Sequence, residues 1–184
     1  KRAEEELRVR ARQQSVIARL GQHALLGSNL SDLFDEAVKR VHQTLNVEYT
    51  KVLELLPGGN NLLLRAGVGW KEGLVGHATV GVQTESQPGY TLLSSEPVVV
   101  EDLPTETRFS GPPLLHDHGV ISGLSVIIQG SDRPFGVFGV HTSRRRSFSQ
   151  DDVHFLEAIA NVLATAIERK QAEDERARLE EKVN

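Results

Sequence analysis

The chain has 184 residues, of which 39% are hydrophobic, with a formal net charge of −4 and no cysteine. That is enough apolar material for one core, while the acidic balance excludes the basic surface of a general nucleic-acid binder and the missing cysteine excludes disulfides, thiolate metal sites and thiol nucleophiles. No run nears the roughly 20 apolar residues that span a bilayer, no signal-peptide pattern opens the chain, and a start without Met with an end in mid-pattern predicts a piece of a longer protein.

Residues 3 to about 26 read as a helix, with Glu4 before Arg8 and Glu6 before Arg10 in the favourable i,i+4 order. Its apolar residues, among them Leu7, Val16, Ile17, Leu20 and Leu25, form a stripe too irregular for a heptad. Gly27-Ser28-Asn29 ends it. A second helix follows, capped by Asn29 or Ser31 and stopped by Asn46, with Leu30, Leu33, Phe34, Ala37, Val38, Val41 and Leu45 on one face. Residues 49–56 and 62–68 read as strands joined by a five-residue hairpin loop, Pro57-Gly58-Gly59-Asn60-Asn61. Glycines at 69, 73, 76, 81 and 89 then argue against regular structure until a short helix near 89–95. Residues 98–100 form a short buried strand, followed by Asp102-Leu103-Pro104, a loop through Gly111-Pro112-Pro113 and a helical turn at 114–118. Loops of this length are uncommon inside a compact domain and tend to be functional.

SGLSVIIQ and PFGVFGVHT, separated by GSDR, make a second hairpin. Leu124, Val126 and Ile128 alternate to one face with Ile127 opposite; Phe135 and Val137 are expected on one face, Phe138 and Val140 on the other. Both faces therefore need cover, which makes this hairpin central to its sheet. Ser149 and Asp152 have capping-box spacing, and Val153, Leu156, Ile159, Ala160, Leu163, Ala166 and Ile167 follow as one helical stripe. Phe155 and Val162 fall off that stripe and are expected to be buried by a partner chain. The strongly charged ERKQAEDERARLEEKVN beyond it would persist as a helix more readily beside a second copy. The element order predicts an α+β domain: a central antiparallel sheet of five or six strands, N- and C-terminal helices on one face and ligand-pocket loops on the other.

His116-Asp117-His118 is the most suggestive polar cluster, with His77 and Asp102 as the other loop candidates. A metal would require three or four ligands in a defined geometry, so a solvated loop with one histidine capping a local backbone group is expected instead. Asp102 is expected to organise the pocket wall through backbone hydrogen bonds. Trp70, Tyr90, Arg108 and Phe109 share the long loops and suit either a planar or anionic ligand or a small hydrophobic lid. Arg144-Arg145-Arg146 reads as a solvated connection. No Gly-x-Ser-x-Gly elbow, P-loop, kinase phosphoacceptor box or GxGxxG fingerprint is present, so no catalytic constellation is expected in this fragment.

The series GVISGLSVII, FGVFGVHT and FSQDDVHFLEAIANVLATAIER resembles the C-terminal half of GAF domains, and GLVGHATVG with the preceding helix and hairpin is similar to the N-terminal half. The resemblance covers about residues 28–168, leaving 1–27 as an N-terminal linker or signalling helix and 169–184 as the start of a C-terminal linker helix. It implies a non-catalytic sensory or regulatory module that binds a small molecule and passes the signal through its terminal helices to an output domain. The implied setting is a cytoplasmic homodimer in a bacterial multidomain signalling protein, of the two-component sensor histidine kinase or cyclic-di-nucleotide enzyme type. Trp70, His77, Tyr90, Asp102, Arg108, Phe109, His116 and His118 are the expected ligand contacts, with no nucleic acid, membrane or metal involved. A covalent cysteine-linked bilin and methionine sulfoxide reductase activity both need cysteine, and the NKFDE pattern of cyclic-nucleotide-binding members is absent, which leaves the ligand unidentified. The alternatives are a haem or non-covalent chromophore sensor using His116 or His118, and a dimerisation module with a degenerate pocket.

Overall fold

A computed structural model of the chain describes residues 1–27, 29–82 and 86–183. The first helix, α1 (Arg2–Leu25), and the second, α2 (Leu30–Leu45), precede a hairpin of β1 (Tyr49–Leu55) and β2 (Asn61–Val68). Then come β3 (Thr79–Gly81), α3 (Gln87–Ser94), β4 (Val98–Val100), a 3-10 turn (Leu103–Thr105) and α4 (Pro113–Asp117). The chain closes with the hairpin β5 (Ser122–Ile128) and β6 (Gly136–Thr142) and the long helix α5 (Gln150–Val183). The local signals behave as expected: the Asn29 side chain accepts from the Asp32 amide at the start of α2, and Asn46 ends that helix in the left-handed conformation at φ 54°.

The described strands form one antiparallel sheet in the order β3-β2-β1-β6-β5-β4. The β5–β6 hairpin is interior, and its β6 strand pairs with β1, Tyr49 opposite His141 and Leu53 opposite Val137. Two apolar layers follow from the period-two alternation of these strands. On the helix side, Val52, Ala66, Leu124, Val126, Ile128, Phe138 and Val140 pack against Phe34, Val38 and Val41 of α2 and Leu156, Ile159 and Leu163 of α5. On the loop side, Leu53, Leu62, Leu64, Val98, Val100 and Val137 pack against Trp70, Leu103, Phe109, Leu115 and Val120.

Three sequence expectations change. Phe135 does not share a face with Val137, because β6 begins at Gly136 and the alternation does not reach back past it; the ring sits on the helix side, 5.4 Å from Phe34. Phe155 needs no partner chain, being only 2% exposed in the helix-side core, where α1 contributes Val16 and Leu20. A sixth strand, β3, forms within the glycine-rich stretch by pairing Leu62 with Val80 on the sheet edge.

The start of α5 is a knot. Ser149 and Asp152 satisfy each other's backbone amides reciprocally, at 3.1 Å each. The other Asp152 oxygen accepts from Gln13 of α1 at 3.3 Å, and Arg146 lies 3.6 Å from the same carboxylate. One buried carboxylate therefore registers three segments, and removing it leaves the Gln13 amide and the Ser149 backbone amide without their acceptor and Arg146 without its ion-pair partner. Asp152→Ala is expected to lower unfolding stability by about 2 kcal/mol, read as a lower urea midpoint at unchanged slope.

Candidate functional site

The loop face of the sheet is unusual at its centre. Alternation places Tyr49, Lys51 and Leu53 of β1 and Val137, Gly139 and His141 of β6 on that face. Lys51 pairs across the sheet with Gly139 on one side and Gly67 on the other, and His141 pairs with Gly123 and Tyr49. The glycines give up side-chain volume to their neighbours. A Cβ at Gly123 would stand 2.4 Å from His141 Nδ1, one at Gly67 would stand 2.6 Å from the Trp70 indole, and one at Gly139 would stand 2.9 Å from Lys51 Cε and 3.0 Å from His141 Nε2. Lys51 and His141 thus converge over Gly139.

Both are sealed from water, Lys51 at 1% exposure and His141 at 0%. Among the described residues, neither Lys51 Nζ nor either ring nitrogen of His141 has a hydrogen-bond partner. Burial lowers the Lys51 amine to about 7, and burial together with the nearby Lys51 charge pushes His141 well below its ordinary value. Buried polar groups in native proteins are nearly always partnered, so three orphaned nitrogens in one place mark this as the centre of the site.

Aromatic rings roof it. Trp70 lies with its ring centroid 5.7 Å from Lys51 Nζ and 6.2 Å from the His141 ring, fixed by its indole N–H donating to the Thr50 carbonyl at 2.8 Å. Tyr49 and His118 contact Trp70 at 5.0 and 4.9 Å. His118 is a loop staple: its Nε2 accepts from the Lys71 amide at 3.0 Å, which leaves Nδ1 as the donor to the Leu114 carbonyl at 2.8 Å. Tyr49 donates its hydroxyl to the His118 carbonyl at 3.1 Å, so α4 and the loop after β2 are tied together over the sheet. Beside this roof, Ser125 of β5 bonds Gln87 and Thr91 of α3 at 3.1 and 2.8 Å, docking α3 on the same face.

The predicted residues divide. Trp70 and His118 meet in the roof. Tyr90, Arg108 and Phe109 form a separate lid, with Tyr90 and Phe109 rings 5.3 Å apart and the Arg108 guanidinium 5.6 and 5.5 Å from them; Arg108 also donates to the Val99 carbonyl and to Glu106. Asp102 accepts from the Thr105 hydroxyl at 2.9 Å within its own turn. His77 and His116 are exposed. No group of three or more His, Cys, Asp or Glu able to hold a metal occurs among the described residues. Lys51 and His141 were missed by sequence reasoning, though the signal was there: a lysine and a histidine on strands whose other inward positions are apolar or glycine.

An unpaired buried amine makes stability depend on pH. The folded state holds Lys51 near 7 whereas the unfolded chain holds it near the ordinary lysine value, so between these the unfolded state binds more protons and stability rises with pH. Lys51→Met is therefore expected to remove that rise and to make the ligand-free protein more stable at neutral pH by a few kcal/mol, measured by urea unfolding of both proteins from pH 6 to 10.

A family model described as GAF domain matches residues 29–167. Among solved structures, the GAF domain of an Acinetobacter phosphoenolpyruvate-protein phosphotransferase aligns at 23% identity and TM-score 0.75, covering 89% of this chain and 97% of that one. The GAF domain of the corresponding phosphotransferase from Coxiella burnetii aligns at 18% identity and TM-score 0.80, covering 90% and 98%. A phycocyanobilin-bound GAF domain from a cyanobacterial phytochrome aligns at 20% identity and TM-score 0.72, covering 88% and 96%. A search of curated proteins returned no match. The likeness to these structures is one of fold, and the family match spans most of the chain: this protein belongs to the GAF family, whose members are generally non-catalytic sensory and regulatory modules.

Proposed function

We propose that the chain is a non-catalytic sensor that binds a small molecule on the loop face of its sheet and passes occupancy to an output domain through its terminal helices. The observation that carries this reading is the buried, unpartnered Lys51–His141 pair at the sheet centre beneath a roof of loop residues. Burying polar groups without partners is costly, and a ligand that partners them recovers that cost. Relay has a physical route. The turn between β5 and β6 reaches α5 beyond the family match, where the Ser131 hydroxyl and amide both donate to the Gln171 side-chain oxygen at 2.7 and 3.3 Å.

In this reading residues 28–168 form the sensory domain, flanked by helical linkers at 1–27 and 169–184, within a cytoplasmic bacterial signalling protein of the two-component kinase or cyclic-di-nucleotide type. No helix among the described residues is long and apolar enough to cross a membrane. A parallel homodimer through α1 and α5 is supported by the apolar residues these helices leave in water, Leu7, Leu25, Leu26, Leu179 and Val183, and by a shallow groove between them lined by Gly21, Ala24, Val162 and Ala166. Sedimentation equilibrium is expected to show a dimer at micromolar concentration for the whole chain and weaker association for a version ending at Glu168.

A second reading, a dimerisation module with a closed pocket, is favoured by the loop-side apolar cluster, which fills much of that face with the protein's own side chains. In the haem alternative His116 is the ring left to ligate iron, because both nitrogens of His118 are engaged. Mass spectrometry of small molecules carried through purification separates the readings. The sensor reading expects a bound species whose removal raises hydrogen exchange in the loops around Trp70 and His118; a dimer that carries nothing, with no visible absorbance band, supports the closed-pocket module instead.

A further inference from the structure

Building on the sensor reading, we propose that the ligand is a small anion whose oxyanion group, a carboxylate or phosphate, is held by Lys51 Nζ and the His141 ring. The argument is one of donor count. A lysine ammonium offers three donors and no acceptor, and a histidine ring offers one or two. Trp70 has already given its only N–H to the Thr50 carbonyl. The polar side chains around the pair, Ser125, Gln87 and Thr91, bond one another rather than Lys51 or His141. Among the described residues the centre of the site is therefore rich in unused donors and has no carboxylate to neutralise them.

A neutral ligand would leave a cation to be buried or an amine held deprotonated; an oxyanion satisfies both side chains at once, in the charge-assisted form that makes such bonds short and strong. Lys51 and His141 lie side by side on one face: a Cβ at Gly139 would stand 2.9 Å from Lys51 Cε and 3.0 Å from His141 Nε2, so one group can reach both once the two side chains, which fill the space over that glycine, part to admit it. The Tyr49–Trp70–His118 roof then sets the size: access runs through rings fixed by loop hydrogen bonds, so the anion is compact, or presents its charged end inward with its remainder under the loops.

The same arrangement couples binding to proton uptake. Among the described residues, the titratable groups nearest Lys51 are His141 from β6, Tyr49 on its own strand and, across Trp70, His118 in the roof, and none is a carboxylate. With Lys51 held near 7 in the free protein, an anion that requires the ammonium form draws a proton with it, and its affinity falls as pH rises above 7.

Isothermal titration of the whole chain with acetate and with inorganic phosphate, each in two buffers of different ionisation heat at pH 7 and 8.5, tests this. Acetamide serves as the neutral control. Expected are saturable binding of at least one anion, uptake of protons, affinity at least threefold weaker at pH 8.5, no binding of acetamide, and at least tenfold loss in Lys51→Met and in His141→Gln. Acetate binding alone identifies a carboxylate ligand, and phosphate binding alone a phosphate. Lys51→Met is expected to fold, and its circular dichroism and urea unfolding verify this. Failure of both anions to bind, or anion binding unchanged in folded Lys51→Met, overturns the proposal. A neutral species found bound to purified protein overturns it too while leaving the sensor reading intact, whereas absence of any carried ligand bears on the sensor reading itself.

Discussion

The pairing of β1 with β6 is the constraint on which the rest of the molecule depends. It joins residues near 50 to residues near 140 across the centre of the sheet, so the N-terminal hairpin and the C-terminal hairpin become one surface. Both strands are interior and covered on both faces, which requires apolar residues at nearly every position. The helix side meets that demand with close-packed aliphatic and aromatic side chains supplied by α1, α2 and α5. The loop side meets it only partly, since Lys51, His141, Gly139 and Gly123 occupy positions where large apolar residues would otherwise pack. The departure from a fully apolar pattern lies at the strand pair the fold can least afford to disturb.

That asymmetry gives the two faces of one sheet different packing. On the helix side the core is tight, and in the proposed sensor it is the layer that would carry a displacement, because close-packed interiors respond to small changes in volume. On the loop side the contacts are mixed: apolar residues around the rim, orphaned nitrogens at the centre, and hydrogen bonds from Tyr49 and Arg108 that hold the roof and the neighbouring lid to the sheet. Ligand-responsive segments are drawn from such less uniformly packed regions. A change in charge at Lys51 acts on a strand whose next residue, Val52, is in the helix-side core. The two faces are thus one residue apart at the site.

The terminal helices are likewise divided along their length. The C-terminal half of α1 and the first half of α5 are part of the core through Val16, Leu20, Phe155, Leu156 and Leu163, and the Asp152 knot fixes their register. Past Ile167, α5 leaves the domain as a charged helix with exposed i,i+3 and i,i+4 ion pairs such as Lys170–Asp174 and Arg178–Glu175, each of small energetic weight in water. The Ser131–Gln171 contact lies at this transition. In the proposed sensor, a helix held firmly at one end and weakly beyond it is suited to turn a small shift at the domain into a change in the direction of the linker, as a relay between two states of similar energy requires.

The sequence by itself determined the elements whose cause is local. Asn29 and the Ser149–Asp152 pair mark helix starts because their side chains satisfy nearby amides, Asn46 marks a stop because it tolerates the left-handed conformation, and alternation in SGLSVII and GVFGVHT predicts a hairpin covered on both faces. Residues whose role depends on distant partners were legible only in part. One histidine of the His116–Asp117–His118 cluster is expected from sequence to cap local backbone, and His118 does bond Leu114, but its staple to Lys71 joins loops 47 residues apart. Phe135 was assigned by alternation to the wrong face because the strand boundary at Gly136 is set by pairing with β1 and not by local pattern. Lys51 and His141 show the limit most clearly. Along the chain each is one polar residue on a strand, 90 positions from the other, and only the register of β1 against β6 brings them over a common glycine, since cross-strand proximity is decided by tertiary pairing and leaves no trace in either strand alone.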